Sequence, residues 1–321
     1  FPDALYIFAV GGLQRNFAGR TSSIFAKARL FKTLAGVDSV ALTFNHSSEL
    51  DDVTHLFRER GSVIDGVSTV NLLDHMPDDT SRIGPPLRYE LDEPGMHPIK
   101  DADQDLFRFY DGQGVYRLYK RFDYERRLLV RDWFTENRNR TRRDEFRLDG
   151  TVRRTVYMDL LHNRPRQDVY YRKDGTPHFN LWRGIDQDTQ LPYIERVTLF
   201  DGDGRPSRVL DSFDEIVHSC LDNYLQGRRA FICTEGRDVD PWVLSYERPN
   251  VKRLFLPHNT HIRPPHDNIK RVRPSYRALF EHRDDVDATV FLTDTQRAEV
   301  ESIYGKQSNF YVVPHAAPDV R

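Results

Sequence analysis

Two cysteines among 321 residues, Cys220 and Cys233, are too few for a disulfide framework. Both lie on apolar patterns, which reads as buried free thiols in a reducing compartment, the cytoplasm. Long apolar runs are missing as well. No stretch approaches the ~18 residues that span a bilayer, and no signal-peptide pattern opens the chain. Peripheral association is the most that is expected at a membrane. Charge of one sign is missing too: 47 Lys and Arg stand against 49 Asp and Glu, a formal net charge of −2. Nothing in that balance draws the chain to nucleic acid, and no nucleic-acid partner is expected. Neither a Walker A loop nor a G-x-G-x-x-G fingerprint occurs. What is present is a chain 38% hydrophobic and 30% charged, the balance of a polar-surfaced globular protein, long enough for two domains.

The stretch from Leu254 to Arg321 carries the plainest grammar. Leu254-Phe255-Leu256 is a short apolar run stopped by Pro257 and followed by His258-Asn259-Thr260-His261. Ala288 to Leu292 is a second run, short enough to be a strand buried on both faces. Thr293-Asp294-Thr295-Gln296 reads as a capping box, and Val300, Ile303 and Tyr304 give the following helix an apolar stripe that Gly305 stops. Asn309 to Val313 is a third strand, broken at Pro314-His315. Strands alternating with helices imply a parallel sheet, which binds ligands at the carboxyl ends of its strands. His258, Thr293 and His315 fall at those ends.

The phrases LPHNTH, VFLTDTQRAEVESIYG and FYVVPHAAP resemble the closing part of the N-terminal domain of GT-B glycosyltransferases. The branch they most resemble is the retaining one that includes the poly(glycerol- or ribitol-phosphate) α-glycosyltransferases of wall teichoic acid and the adhesin O-glycosyltransferases. The implied fold is α/β: a Rossmann-like GT-B N-terminal domain over 1–84 and 207–321, with an antiparallel β-sheet domain inserted over 85–206. The chain opens on Phe1 without an initiator methionine and stops where that family's second Rossmann domain begins. The expectation is of one half of a two-domain enzyme, with the C-terminal domain absent and the half alone inactive.

At the start, Ala4 to Val10 is a strand, Gly11-Gly12 ends it, and a helix opens near Arg20 with Ile24, Ala28, Phe31 and Ala35 on one face. Ser39 to Thr43 and Val67 to Leu72 are further strands. A glycine-bearing loop feeding a helix N-terminus is an anion site in physical terms, and an ordinary connection in many proteins. The resemblance places Gly19, Arg20 and Thr21 against a nucleotide-sugar diphosphate. From about Pro85 to Pro206 the grammar changes to strand-like runs separated by Asp111-Gly112, Asp149-Gly150, Asp174-Gly175 and Asp201-Gly202, the dipeptides of tight hairpins. Arg138 to Arg154 holds seven arginines and three acids. It reads either as a charge-protected sheet face or as an attractor for a polyanionic acceptor through Arg138, Arg140, Arg142 and Arg143. Tyr110, Tyr116, Trp133, Phe134, Tyr170 and Trp182 are aromatic enough to suggest a homo-oligomer formed through the insertion. Past Pro206 the α/β grammar returns, with a capping box at Ser212 and Glu215 and a strand from Ala230 to Thr234 that delivers Glu235-Gly236-Arg237-Asp238 to the functional edge.

His258, His261 and His266 invite a metal, but Pro257, Pro264 and Pro265 forbid the helix that would align them, and no further ligand pair completes a shell. No metal and no cofactor are expected. The resemblance makes His258 the catalytic-cleft histidine, with Asn259, His261 and Thr293 beside the donor, a nucleotide-sugar and by expectation a UDP-sugar. It implies transfer of glucose or N-acetylglucosamine, with retention, to a polyol-phosphate polymer or a protein hydroxyl. A non-catalytic, glycosyltransferase-like subunit that binds acceptor is the alternative.

Overall fold

The computed structural model describes residues 1–15, 19–75, 85–101 and 105–314; of Arg20 only the backbone is described. The chain divides into two compact units, Phe1–His75 with Val217–Arg321 and Met76–Ile216. It begins with β1 (Leu5–Val10), α1 (Gly19–Ala35), β2 (Ser39–Thr43), α2 (Leu50–Glu59) and β3 (Val67–Asn71). Ten strands follow: β4 (Met96–Lys100), β5 (Leu106–Asp111), β6 (Tyr116–Phe122), β7 (Leu128–Phe134), β8 (Arg140–Phe146), β9 (Val152–Asp159), β10 (Arg164–Tyr171), β11 (Pro177–Ile185), β12 (Pro192–Phe200) and β13 (Pro206–Leu210). The last part holds α3 (Phe213–Leu225), β14 (Ala230–Thr234), α4 (Asp240–Leu244), β15 (Val251–Phe255), α5 (Pro274–Glu281), β16 (Ala288–Phe291), α6 (Asp294–Tyr304) and β17 (Phe310–Val312).

In the first unit seven strands make one parallel sheet, in the order β17-β16-β15-β14-β1-β2-β3. Its centre is apolar on both faces: Ile7, Phe8, Ala9 and Val10 of β1 and every residue of β2 are buried, as strands covered on both sides require. Ile24, Phe25 and Ala28 of α1 pack onto that sheet, with Phe25 against Phe57 of α2 at 5.1 Å between ring centroids. The sheet winds one way from β1 to β3 and the other way from β14 to β17. The loops after β1 and β14 therefore part at a topological switch point, where open α/β sheets leave a crevice. One strand differs from its sequence reading. β15 starts at Val251, three residues before the apolar run, because Lys252 meets Asp287 at 2.7 Å and Arg253 is buried with its guanidinium held by the carbonyls of Leu244 and Asp285.

The second unit is a ten-stranded antiparallel meander in which each strand pairs only with its neighbours in sequence. The Asp-Gly hairpins join this sheet and not the parallel one. Pro206, which has no N–H to give a ladder, sits at the first residue of the edge strand β13. The turns after β5, β6, β7 and β8 begin at Asp111, Asp123, Thr135 and Arg147, each twelve residues after the last. All four close the same way: the N–H three residues on donates to the first carbonyl at 2.9 to 3.1 Å. This is a type I turn whose last residue adopts the left-handed conformation. The residue there is Gly114, Arg126, Arg138 and Gly150 in succession. The left-handed glycine of the first turn is thus Gly114 and not Gly112, and at Asp201 it is Gly204 and not Gly202. Tyr116 packs at a tilt against Tyr110 and Phe134, at 5.6 and 4.5 Å between ring centroids, and Tyr170 is buried at 2% exposure. Tyr110, Tyr116, Trp133, Phe134 and Trp182 are half-buried.

Candidate functional site

At the switch point the chain leaves β1 through Gly11, and the loops after β2 and β14 close on it. A Cβ at Gly11 would lie 1.8 Å from Asp238 Oδ2 and 2.9 Å from Asn45 Nδ2, so only glycine lets that carboxylate approach. The Asn45 backbone is fixed there by its N–H to Gly11 O at 2.7 Å and by Asn71 Nδ2, which donates to Asn45 O at 2.7 Å.

Beside this cluster stands Glu235, only 3% exposed although it is charged. Lys27, from the third turn of α1, donates to Glu235 Oε1 and to Ser23 Oγ, both at 2.5 Å. Burying a carboxylate is costly unless an opposite charge accompanies it, and Lys27 supplies that charge. Glu235 Oε2 has no hydrogen-bond partner among the described residues and lies 3.6 Å from His258 Nδ1. His258 follows β15, whose path past its last residue is held by Leu256 N–H to Thr234 O at 2.8 Å. On the far side of the ring, Nε2 is 3.6 Å from where a Cβ on Gly19 would be. Gly19, Lys27 and His258 lie on the wall of a cavity of ≈ 960 Å³ that is otherwise largely apolar, with Phe8, Phe31, Leu256 and Leu292, while Glu235 stands behind Lys27 and His258 and off that wall.

The neighbouring loop is braced from below. Arg237 Nε lies 2.9 Å from Asp240 Oδ2, and the guanidinium sits over the Tyr276 ring at 5.2 Å. Burial pushes the Asp240 carboxyl up to about 6, against the opposing pull of Arg237 and of Thr234 Oγ1, which donates to Asp240 Oδ1 at 2.7 Å. Tyr276 Oη and Gln296 Nε2 both donate to Asn259 O at 2.9 Å, leaving the Asn259 residue exposed. Thr293 caps α6 as its sequence implies, accepting from Gln296 N–H at 3.1 Å. The reciprocal arm of that capping box is absent because the Gln296 side chain goes to Asn259 instead.

The structure brings Gly19 and His258 together and sets Thr21 half-buried two residues into α1. His261 is fully buried, edge-on to Phe280 at 5.8 Å, and burial lowers its pKa. It lies beneath the loop and not on the cavity wall, while His266 is exposed at a left-handed turn, so the three histidines do not converge. His315 and the Arg20 side chain lie outside the described residues. In the meander, Arg143 grips buried Asp132 with two bonds of 2.7 Å, Arg140 lies 3.3 Å from the same carboxylate, and Arg142 donates to buried Asp144 at 2.7 Å. Three of the four arginines expected to meet an acceptor are therefore paired inside the sheet. Arg138 is exposed.

Sequence reasoning placed the loop of Glu235 and Asp238 at the functional edge without singling either residue out, and it passed over Lys27. On sequence alone Lys27 is one more lysine on an amphipathic helix. Only the pairing of β1 with β14 carries Glu235 to it.

No protein-family model matches the chain. Its fold is nevertheless one found in glycosyltransferases. Over 98% of its length the chain is 22% identical to the poly(glycerol-phosphate) alpha-glucosyltransferase of Bacillus subtilis (strain 168), so the resemblance read from the sequence holds along nearly the whole chain. The crystal structure of TarM superposes with a TM-score of 0.72 at 16% identity, covering 99% of this chain and 62% of TarM. The G117R mutant of S. aureus TarM, solved with fondaparinux, alpha-GlcNAc-glycerol and UDP, gives a TM-score of 0.71 at 16% identity, over 98% of this chain and 62% of that one. Accessory secretory proteins 1, 2 and 3 of Streptococcus pneumoniae give 0.68 at 13% identity, over 97% of this chain and 62% of that one. The chain spans about half the length of the curated relative it matches, 47%. No helix among the described residues is long and apolar enough to cross a membrane.

Proposed function

We propose that this chain is the N-terminal, acceptor-side half of a retaining GT-B glycosyltransferase, with the meander as its inserted domain. The whole protein moves glucose or N-acetylglucosamine from a UDP-sugar to a polyol-phosphate polymer or a protein hydroxyl. The observation that carries the reading is the meeting of the α1 N-terminus at Gly19 with His258 at the switch point of the sheet. Unpaired N–H groups at a helix start suit a diphosphate, and a histidine beside them can hydrogen-bond the sugar. The similarity to the alpha-glucosyltransferase over nearly the whole chain supports the same reading. The likeness to a chain of the two-protein GtfA/B complex favours a second one, a non-catalytic subunit that binds acceptor.

The test is sugar transfer by the whole protein, with the product anomer read by NMR. His258→Ala is expected to lower kcat about 100-fold with donor KM little changed, since a contact made in the transition state is lost. Gly19→Ala fits the space and should bind donor normally, whereas Gly19→Phe should block it. Wild-type rates in both His258→Ala and Gly19→Phe would remove the site. A wild-type protein that binds acceptor without transferring sugar would establish the second reading.

A further inference from the structure

We infer that Glu235 is a positioning residue that fixes the tautomer of His258. Its Oε2 holds the proton on Nδ1 and leaves Nε2 as a lone-pair acceptor turned toward Gly19 and the cavity.

The argument starts from an imbalance. Glu235 is buried at 3% exposure, and Lys27 satisfies only one of its two oxygens. The other, Oε2, is buried without a hydrogen-bond partner among the described residues. A carboxylate oxygen left so is costly, and one that persists calls for an explanation. The ring nitrogen that faces it is His258 Nδ1, at 3.6 Å. That is longer than a formed hydrogen bond, as is common at sites that tighten when substrate arrives. An ionised carboxylate only accepts, so it selects the ring form that presents N–H at Nδ1. In the neutral imidazole the proton is then absent from Nε2, the atom 3.6 Å from the Gly19 Cβ position. Lys27 takes a matching part: bound to both Ser23 and Glu235, it holds the carboxylate in place.

The direction of one hydrogen bond follows. A sugar hydroxyl entering the cleft donates to His258 Nε2, the reverse of a histidine that offers its ring N–H to the sugar. The identity of that hydroxyl rests on the proposed sugar transfer. The tautomer does not.

Two measurements separate the ideas. In the chain labelled with ¹⁵N-histidine, two-bond ¹H–¹⁵N correlations at a pH where the ring is neutral report which nitrogen is protonated. His258→Gln identifies the signal by its loss. Wild type is expected to show His258 as the Nδ1–H form. The variant Lys27→Met/Glu235→Leu replaces the buried ion pair with apolar side chains of similar volume, which proteins often tolerate, and should return the ring to the Nε2–H form. A wild-type ring already in the Nε2–H form, or one unmoved in the double variant, overturns the inference. In the whole protein the double variant should lose about 10- to 100-fold in kcat with donor KM within about twofold, and a loss of binding without a change in kcat would also overturn it. If the whole protein transfers no sugar while the NMR result stands, the functional reading fails and the positioning inference survives.

Discussion

The Asp238 carboxylate occupies the place where a side chain on Gly11 would be, with Oδ2 1.8 Å from that Cβ position. Gly11→Ala must therefore expel it. Asp238 is exposed and can swing away, so the stability cost should stay near 1 kcal/mol, within the ordinary range for a point substitution. Transfer by the whole protein should fall by more than that cost explains. Urea midpoints together with transfer rates decide it, and unchanged rates would show that Asp238 plays no part at the edge.

The carboxylate that Lys27 pairs in Glu235 is almost wholly buried. Lys27→Met leaves that carboxylate without its counter-charge and should cost about 3 kcal/mol. Adding Glu235→Gln should restore most of the loss, because the stranded charge goes with it. Denaturant unfolding of the two single variants and the double gives the coupling. Additive single costs would show that the pair does not interact.

In the meander, burial, with the nearby Arg172 guanidinium adding to it, depresses the pKa of His178 to about 4 from 6.5. Above pH 6.5 neither the folded nor the unfolded chain protonates it, and its contribution to stability is complete. As pH falls from 6.5 toward 4 the unfolded chain takes up a proton that the folded one refuses. Stability then falls by at most about 3 kcal/mol over that window. His178→Gln, which keeps an acceptor for Arg172, should remove this share of the acid sensitivity. Urea midpoints at pH 7.5, 5.5 and 4.5 give the comparison, and identical slopes for the two proteins would refute the assignment.

Arg138 holds a left-handed conformation at φ 60° that glycine adopts without penalty. Arg138→Gly should stabilise the chain by about 0.5–1 kcal/mol by relieving the side chain's clash with its own backbone. If the residue also meets an anionic acceptor, polymer binding weakens while the thermal midpoint rises. A lower midpoint would mean that the guanidinium makes a contact worth more than the strain.

The parallel sheet was legible because its strands are short, apolar and cleanly punctuated, as Leu5–Val10 and Ala230–Thr234 show. The meander was legible only where glycine marks a turn. The hairpins at Asp123 and Thr135 have the same geometry but put Arg126 and Arg138 in the position that usually signals itself. Strand β8, Arg140–Phe146, hid for a related reason: its arginines alternate with nothing apolar and are paired with Asp132 of the preceding strand and Asp144 of its own. At the candidate site, His258 and Gly19 carried a family resemblance. Lys27 and Glu235 carried none, and their pairing depends on a register between two strands that no local pattern encodes.

That register bears on how the protein is made. During synthesis β1 can zip onto β2, and β2 onto β3, as soon as they emerge, but the other side of β1 stays open until Ala230–Thr234 leaves the ribosome. All ten strands of the meander are translated in that interval, and each can close against the strand just before it. For that time the nascent chain displays an unpaired row of amides and carbonyls along Leu5–Val10, flanked by Ile7 and Phe8, the kind of edge that recruits foreign strands. A ribosome stalled inside the meander would release a polypeptide whose most apolar strand is still looking for its neighbour.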